Sequence, residues 1–383
     1  MKYLIICDSD LITKPFASAF RAINLALGLK NCNNSVALFS IYPNAEKKSY
    51  LEQNKDIIVY SYSNEFASLD DFYEYVINDN TPSIIIYRDR NLKTLRTIIR
   101  YRNKYNYKII MDLGEDLWGI FLNTNWIRKN IIIGIYTLIN SFMETLFIKF
   151  IYFNKIDFFI IINPKLSSRI PKRIPYIYIP QILSDYYSQG CKKASDFTKQ
   201  YFVHIGTVAL KKDDLLAIIK GFSKFINYNS KYKLFLIGQQ SKRLISYINK
   251  YNITDHVVFI DYLSQQELLN LLNTSTFNII TQKKNKQNAY NFPTKLLQYI
   301  LSGNLLVSSN HGILKAFLKD NYNCIIYETG NPQHIAYAFN RAIQYKQEDR
   351  IRLINNLQLL IKNNLSAELK CKDINKMVED YDK

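Results

Sequence analysis

At 383 residues, with 48% hydrophobic and 21% charged side chains, the chain is too long for one compact core and too apolar for wholesale disorder, so two domains are expected. The formal charge is +18, but the basic residues are spread along the chain and no nucleic-acid-binding motif occurs. The expected acidic partner is therefore no nucleic acid but an anionic membrane surface or a phosphorylated substrate. Five scattered cysteines (Cys7, Cys32, Cys191, Cys324, Cys371) and four dispersed histidines (His204, His256, His311, His334) offer neither a disulfide framework nor metal-ligand spacing. Reduced thiols, a cytoplasmic setting and no metal are expected. The apolar run Tyr3–Cys7 is too short for a signal peptide.

In chain order, apolar runs predict buried strands at Tyr3–Cys7, Ser35–Phe39, Ile57–Tyr60, Ser83–Tyr87, Lys108–Met111 and Phe158–Ile162, with helices at Phe16–Leu29 and Leu92–Asn103 between them. Ile131 to Phe153 is very apolar, with basic flanks at Arg128, Lys129 and Lys155. Spanning a bilayer would bury Glu144 near its middle, so a helix lying in a membrane interface or packed on the first domain is expected instead. The polar stretch Ser184 to Lys199 reads as a linker.

Beyond it the alternation restarts. Strands are predicted at Tyr201–Ile205, Lys233–Ile237, His256–Ile260, Phe277–Thr281, Leu305–Ser308 and Cys324–Tyr327. Helices are predicted at Asp213–Asn227, Arg243–Tyr251, Gln265–Leu272, Thr294–Leu301, Gln333–Gln344, Glu348–Asn363 and Ala367–Tyr381. Strand–helix alternation in both halves means two α/β domains with parallel sheets.

The most informative segment runs from Asn288 to Val307, reading NAYNFPTKLLQYILSGNLLV. Asn291 is the candidate N-cap of a helix, Pro293 suits its first turn, and Gly303 suits a left-handed C-cap. A helix opening on a polar loop after a strand offers free N–H groups and a positive dipole end to a phosphate, although an ordinary α/β connection has the same features.

Phe292, Pro293, Lys295, Leu296, Leu297, Tyr299 and Gly303 resemble the donor motif Phe-Pro-Ser-Lys-Leu-Leu-Glu-Tyr-x-x-x-Gly of the retaining family 4 glycosyltransferases, the glycosyl transferases group 1. The resemblance implies the GT-B fold: two Rossmann-like, doubly wound domains facing across a cleft. An acceptor-binding domain is then expected over 1–185, a nucleotide-sugar donor domain over 200–366, and the helix at 367–383 should pack back on the first. The family's two donor-gripping glutamates correspond to Tyr290 and Gln298 here. Gln298 can still hydrogen-bond a ribose hydroxyl, while Tyr290 cannot replace a carboxylate.

Phe202–Asp213 is similar to the family's Gly-Arg-x-x-x-x-Lys-Gly loop, with Gly206 and Lys212 in register, Thr207 in place of the arginine and Asp213 in place of the second glycine. Lys212 is the expected catalytic cation, meeting the departing diphosphate. Lys283, Lys284 and Lys286 either supply the lost charge or form a solvated loop face. Val258–Ser264, including Leu263, resembles the strand beside the nucleotide base, and Ser309–Gly312 with Asp320–Asn323 resembles the loop and turn that follow it.

On the acceptor side the candidates are Asp8, Arg88 and Asp112, each at a strand's carboxyl end. Asp8 can equally cap a helix, and the alternative for Arg88 and Asp112 is a structural ion pair. The donor residues implied are Gly206, Thr207, Lys212, Leu263, Tyr290, Asn291, Phe292, Pro293, Thr294, Lys295 and Gln298. The function implied is sugar transfer from a nucleotide sugar to a glycan or lipid-linked acceptor, with no cofactor beyond that co-substrate. A catalytically degenerate scaffold and a nucleotide-sugar epimerase are the rival readings.

Overall fold

The computed structural model describes residues 1–7, 17–40, 57–61, 68–88, 91–117, 131–185, 200–206, 212–238, 241–261, 263 and 265–381. The chain forms two compact units, Met1–Asp185 with Leu365–Lys383, and Tyr186–Asn364.

Unit 1 contains β1 (Lys2–Cys7), α1 (Ala17–Asn31), β2 (Ser35–Ser40), β3 (Ile58–Ser61), α2 (Leu69–Asn80), β4 (Ile84–Arg88), α3 (Leu92–Tyr105), β5 (Lys108–Leu113), α4 (Ile131–Phe147), β6 (Phe158–Ile161) and β7 (Tyr176–Tyr178). A π-turn, Ile148–Tyr152, and a 3-10 turn, Phe153–Lys155, continue α4. The sheet is wholly parallel in the order β3-β2-β1-β4-β5-β6-β7. Its central strands are uninterrupted apolar runs because helices cover both faces, leaving no solvated side to alternate with. Asn91 caps α3 by accepting from the Lys93 and Thr94 amides, and Ser68 caps α2 from Asp71. Neither α2 nor β7 was evident in the sequence. The twelve residues of α2 carry little net apolarity, and β7 has only three residues.

Unit 2 contains β8 (Tyr201–Ile205), α5 (Leu215–Ile226), β9 (Lys233–Ile237), α6 (Lys242–Lys250), β10 (Val257–Ile260), α7 (Gln265–Thr274), β11 (Phe277–Ile280), α8 (Lys295–Ser302), β12 (Leu305–Ser309), α9 (Leu314–Phe317), β13 (Ile325–Tyr327), α10 (Pro332–Gln344) and α11 (Gln347–Leu360). The predicted helix over 348–363 gives way after Leu360 to a π-turn, Ile361–Leu365. This sheet is also parallel, in the order β10-β9-β8-β11-β12-β13. Its core gathers Phe202, Phe222, Phe225, Tyr232, Phe277 and Phe339 in mutual ring contact. In both sheets the order reverses between the first and fourth strands, which opens a crevice at their carboxyl ends where ligands of such sheets bind.

The final helix, α12 (Ala367–Tyr381), belongs to unit 1. Leu183 N donates to Leu365 O at 2.7 Å and Ala367 N to Leu183 O at 2.9 Å. The helix then lies so close to α1 that a Cβ on Gly28 would stand 2.8 Å from the Ala367 backbone and from Cys371 Sγ.

Candidate functional site

The switch point of unit 2 lies where β8 and β11 end. After β8 the chain leaves through Gly206, at φ 129°, a conformation that side-chain-bearing residues rarely adopt. A Cβ there would also lie 3.1 Å from Lys295 Nζ. Glycine thus serves both the turn and the passage of the lysine chain. Lys295 Nζ lies 2.8 Å from Asp213 Oδ2, and His204 Nε2 lies 3.3 Å from the same oxygen. His204 Nδ1 is 3.1 Å from Ile279 O. Burial pushes the Asp213 carboxyl up, but Lys295 and then His204 override it and hold the acid below its ordinary range. Burial, then the Lys295 charge, pushes His204 down, so the ring is neutral and can donate to only one of its two acceptors.

The loop between β11 and α8 is held by side-chain amides. Lys283 N and Asn288 Nδ2 both donate to Lys212 O, at 2.8 and 2.7 Å. Asn288 Nδ2 also donates to Lys283 O at 2.8 Å, Asn291 Nδ2 to Asn288 Oδ1 at 3.3 Å, and Gln282 Nε2 to Asn291 Oδ1 at 3.0 Å. Gly312, at φ 58°, leaves room for this loop: its Cβ would lie 2.8 Å from Asn288 O and 2.9 Å from Gln282 Oε1. The Lys212 turn and the segment leading to Phe292 are therefore stitched together at one edge of one sheet.

The sequence-predicted residues divide on this frame. Lys212, Tyr290, Pro293, Thr294 and Lys295 are half-buried at or near that edge, as is Leu263 after β10. Gln298 is exposed on the face of α8 opposite Leu296, Leu297, Tyr299 and Ile300. Lys283, Lys284 and Lys286 are exposed. Phe292 is buried edge-on against Phe317, ring centroids 5.4 Å apart, so its ring packs the loop and offers no open stacking face.

Asn291 is not the N-cap. Main-chain bonds from Leu296 N to Pro293 O and from Leu297 N to Thr294 O tighten the entry, α8 starts at Lys295, and Thr294 stands in the cap position without a side-chain bond. Pro293 accordingly precedes the helix. Gly303 at φ 67° is the left-handed C-cap, as its sequence position predicts. Thr207 and Asp8 lie outside the described residues.

The sequence does not reveal the Asp213 pairing, since Asp213 stands where the motif has its second glycine and His204 belongs to no motif. The available signal was a joint one, an acid beside Lys212 and a histidine at the end of the preceding strand. Among the described residues no group of His, Cys, Asp and Glu could hold a metal ion.

At the edge of unit 1, Asp112 is fully buried. Arg21 grips it with Nε at 2.8 Å and a second nitrogen at 2.9 Å. Arg88 adds a further bond, and Gly114 leaves space for its guanidinium. Arg21 also donates to the carbonyls of Ile179, at 3.1 Å, and Pro180. Of the two alternatives for Arg88 and Asp112, the structure shows the ion pair. No face of the Asp112 carboxylate reaches solvent, while the Arg88 side chain keeps 10% exposure.

Residues 192–359 match the family model Glycosyl transferases group 1. That segment, under half of the chain, is similar to this family. Similar solved structures include HepE of Anabaena in complex with UDP and glucose, 13% identical with TM-score 0.70 over 99% of this chain and 100% of that one. They also include sucrose-phosphate synthase from Thermosynechococcus elongatus, 11% identical with TM-score 0.69 over 99% and 98%. A third is WaaG, a glycosyltransferase involved in lipopolysaccharide biosynthesis, 9% identical with TM-score 0.62 over 97% and 99%. At such identities these likenesses show the fold, which is GT-B. No curated protein matches the sequence. The family match covers residues 192–359 alone, and the structural likenesses give the chain its GT-B fold.

Proposed function

We propose that the chain moves a sugar from a nucleotide-sugar donor, held by unit 2, to a saccharide or lipid-linked acceptor, held by unit 1. The reading includes retention of configuration, no metal, and a role in assembling a bacterial surface polysaccharide such as O-antigen or capsule. The observation that carries it is the stitching of the Lys212 turn, through its carbonyl, to Lys283 and Asn288 in the loop that opens α8. Lys212, with Lys283, Lys284 and Lys286 nearby in that loop, supplies positive charge at a switch point, where a leaving diphosphate gathers negative charge. The diphosphate departs with the bonding pair from the anomeric carbon and can accept the proton of the incoming hydroxyl, so no separate carboxylate base is needed. Gln298, exposed on α8, would hold the ribose hydroxyls. The UDP and glucose present in the Anabaena HepE structure support a UDP-sugar as donor.

Thermal melting with a panel of nucleoside diphosphates and nucleotide sugars tests this reading. A ligand at about 100 times its Kd stabilises the folded state by about 2.7 kcal/mol, a rise of several degrees. Lys212→Ala is expected to remove most of that rise and at least tenfold of the transfer rate, and a panel in which no diphosphate raises Tm would overturn the proposal. The second reading, a catalytically degenerate scaffold, is favoured by the pairing of Lys295 with Asp213, which occupies a cation of the motif. Diphosphate binding without donor turnover would select it.

A further inference from the structure

In unit 1, α4 and the π-turn after it expose Ile139, Phe142, Met143, Phe147, Phe150 and Ile151, at 39% to 61% of their surface. Their three- and four-residue spacing lines them along one side of the helix, while Ile148 is turned into the core. Exposed Asn140 and Glu144 flank these residues, and so many large apolar side chains exposed along one side of a helix mark a surface that meets something apolar. No helix among the described residues is long and apolar enough to cross a membrane.

A cationic groove adjoins the stripe. Helix α3, LKTLRTIIRYRNKY, carries Lys93, Arg96, Arg100, Arg102 and Lys104 and no acidic residue. Lys93, Arg96 and Arg100, with Asp70, line a groove whose other wall is Tyr152 and Lys155, immediately after Phe150 and Ile151. Arg100 is paired with Asp70, Arg102 with Asp157 and Lys104 with Glu74. Lys93, Arg96 and Lys155 are exposed and have no carboxylate partner among the described residues.

We propose that this face docks the chain on an anionic lipid bilayer, the stripe entering the acyl boundary and the groove receiving headgroup phosphates. Charge complementarity selects the occupant. A second copy would bring unpaired cations against their like in a chain of net charge +18, and a nucleic acid would leave Phe147, Phe150 and Ile151 with nothing to enter. An anionic membrane satisfies both halves at once, because its charge lies over hydrocarbon. The inference stands on unit 1 alone and does not depend on the donor chemistry.

The test is co-sedimentation of the full chain with phosphatidylcholine vesicles, with and without phosphatidylglycerol, beside the variants Phe150→Glu and Lys93→Glu/Arg96→Glu. Wild-type protein is expected to sediment with the anionic vesicles at low salt, roughly tenfold more weakly with neutral ones, and less as salt rises. Either variant should lower binding roughly tenfold, at unchanged Tm and unchanged response to nucleoside diphosphates. The proposal is overturned by failure to bind anionic vesicles, by equal binding of wild type and variants, by a dimer that Phe150→Glu disrupts without lipid, or by oligonucleotide binding in place of vesicle binding.

Discussion

Each unit buries a carboxylate near the carboxyl edge of its sheet, and the two are neutralised by different means. Asp112 in unit 1 receives two guanidinium groups, one of them also tied to the Ile179 and Pro180 carbonyls. Asp213 in unit 2 receives one lysine and faces one imidazole. Guanidinium stays charged at every accessible pH and grips in a fixed plane, whereas an ammonium is a point charge on a flexible stem and imidazole titrates near neutrality. The first arrangement is a permanent strut between strands. The second can be redistributed when an anion arrives, which suits the edge proposed to bind a diphosphate.

The largest expected effect breaks the strut. Arg21→Met leaves Asp112 fully buried with only Arg88 as partner and should cost about 3–5 kcal/mol, read as an early transition in denaturant unfolding. Asp213→Asn should cost less, about 1–3 kcal/mol, because Lys295 keeps some exposure and can turn to water. The same substitution frees the Lys295 ammonium and should tighten UDP binding in titration calorimetry; weaker binding would mean that Asp213 positions the lysine instead.

The smallest effect separates the units by pH. His204 has a folded pKa below its unfolded value, so below about pH 6.5 the unfolded chain binds the extra proton and unit 2 loses stability as pH falls. Although burial alone would raise Asp112, Arg21 and Arg88 hold it low. Its contribution is therefore intact above about pH 4 and lost only as pH falls further, through the folded pKa. Hydrogen exchange resolved to each sheet should show unit 2 weakening first, and His204→Gln should flatten its response as pH falls below about 6.5.

Much of the architecture was legible because parallel strands covered on both faces are written as apolar runs, such as Tyr3–Cys7 and Leu305–Ser309, and need no partner to be recognised. Helix caps were less so. Gly303 was readable because a left-handed position demands glycine, whereas Asn291 was misassigned because the 3-10 entry through Pro293 and Thr294 depends on loop bonds made far away in sequence. At the candidate site the sequence gives residue types and spacing but not which groups choose each other. Lys295 could have faced a ligand or Asp213, and Arg88 a ligand or Asp112. In each case a buried carboxylate was the nearer and better desolvated partner, a choice fixed only when separate loops converge.

The discontinuity of unit 1 has a consequence for synthesis. Residues 186–364 leave the ribosome before Leu365 and Ser366 can pair with Leu183, and before α12 can seat against Gly28. Domains generally fold as units while the chain grows, so the inserted unit can reach its final form while its host still shows the uncovered apolar side of α1 to chaperones. Closure of the first-made part therefore waits for the arrival of Ala367–Tyr381.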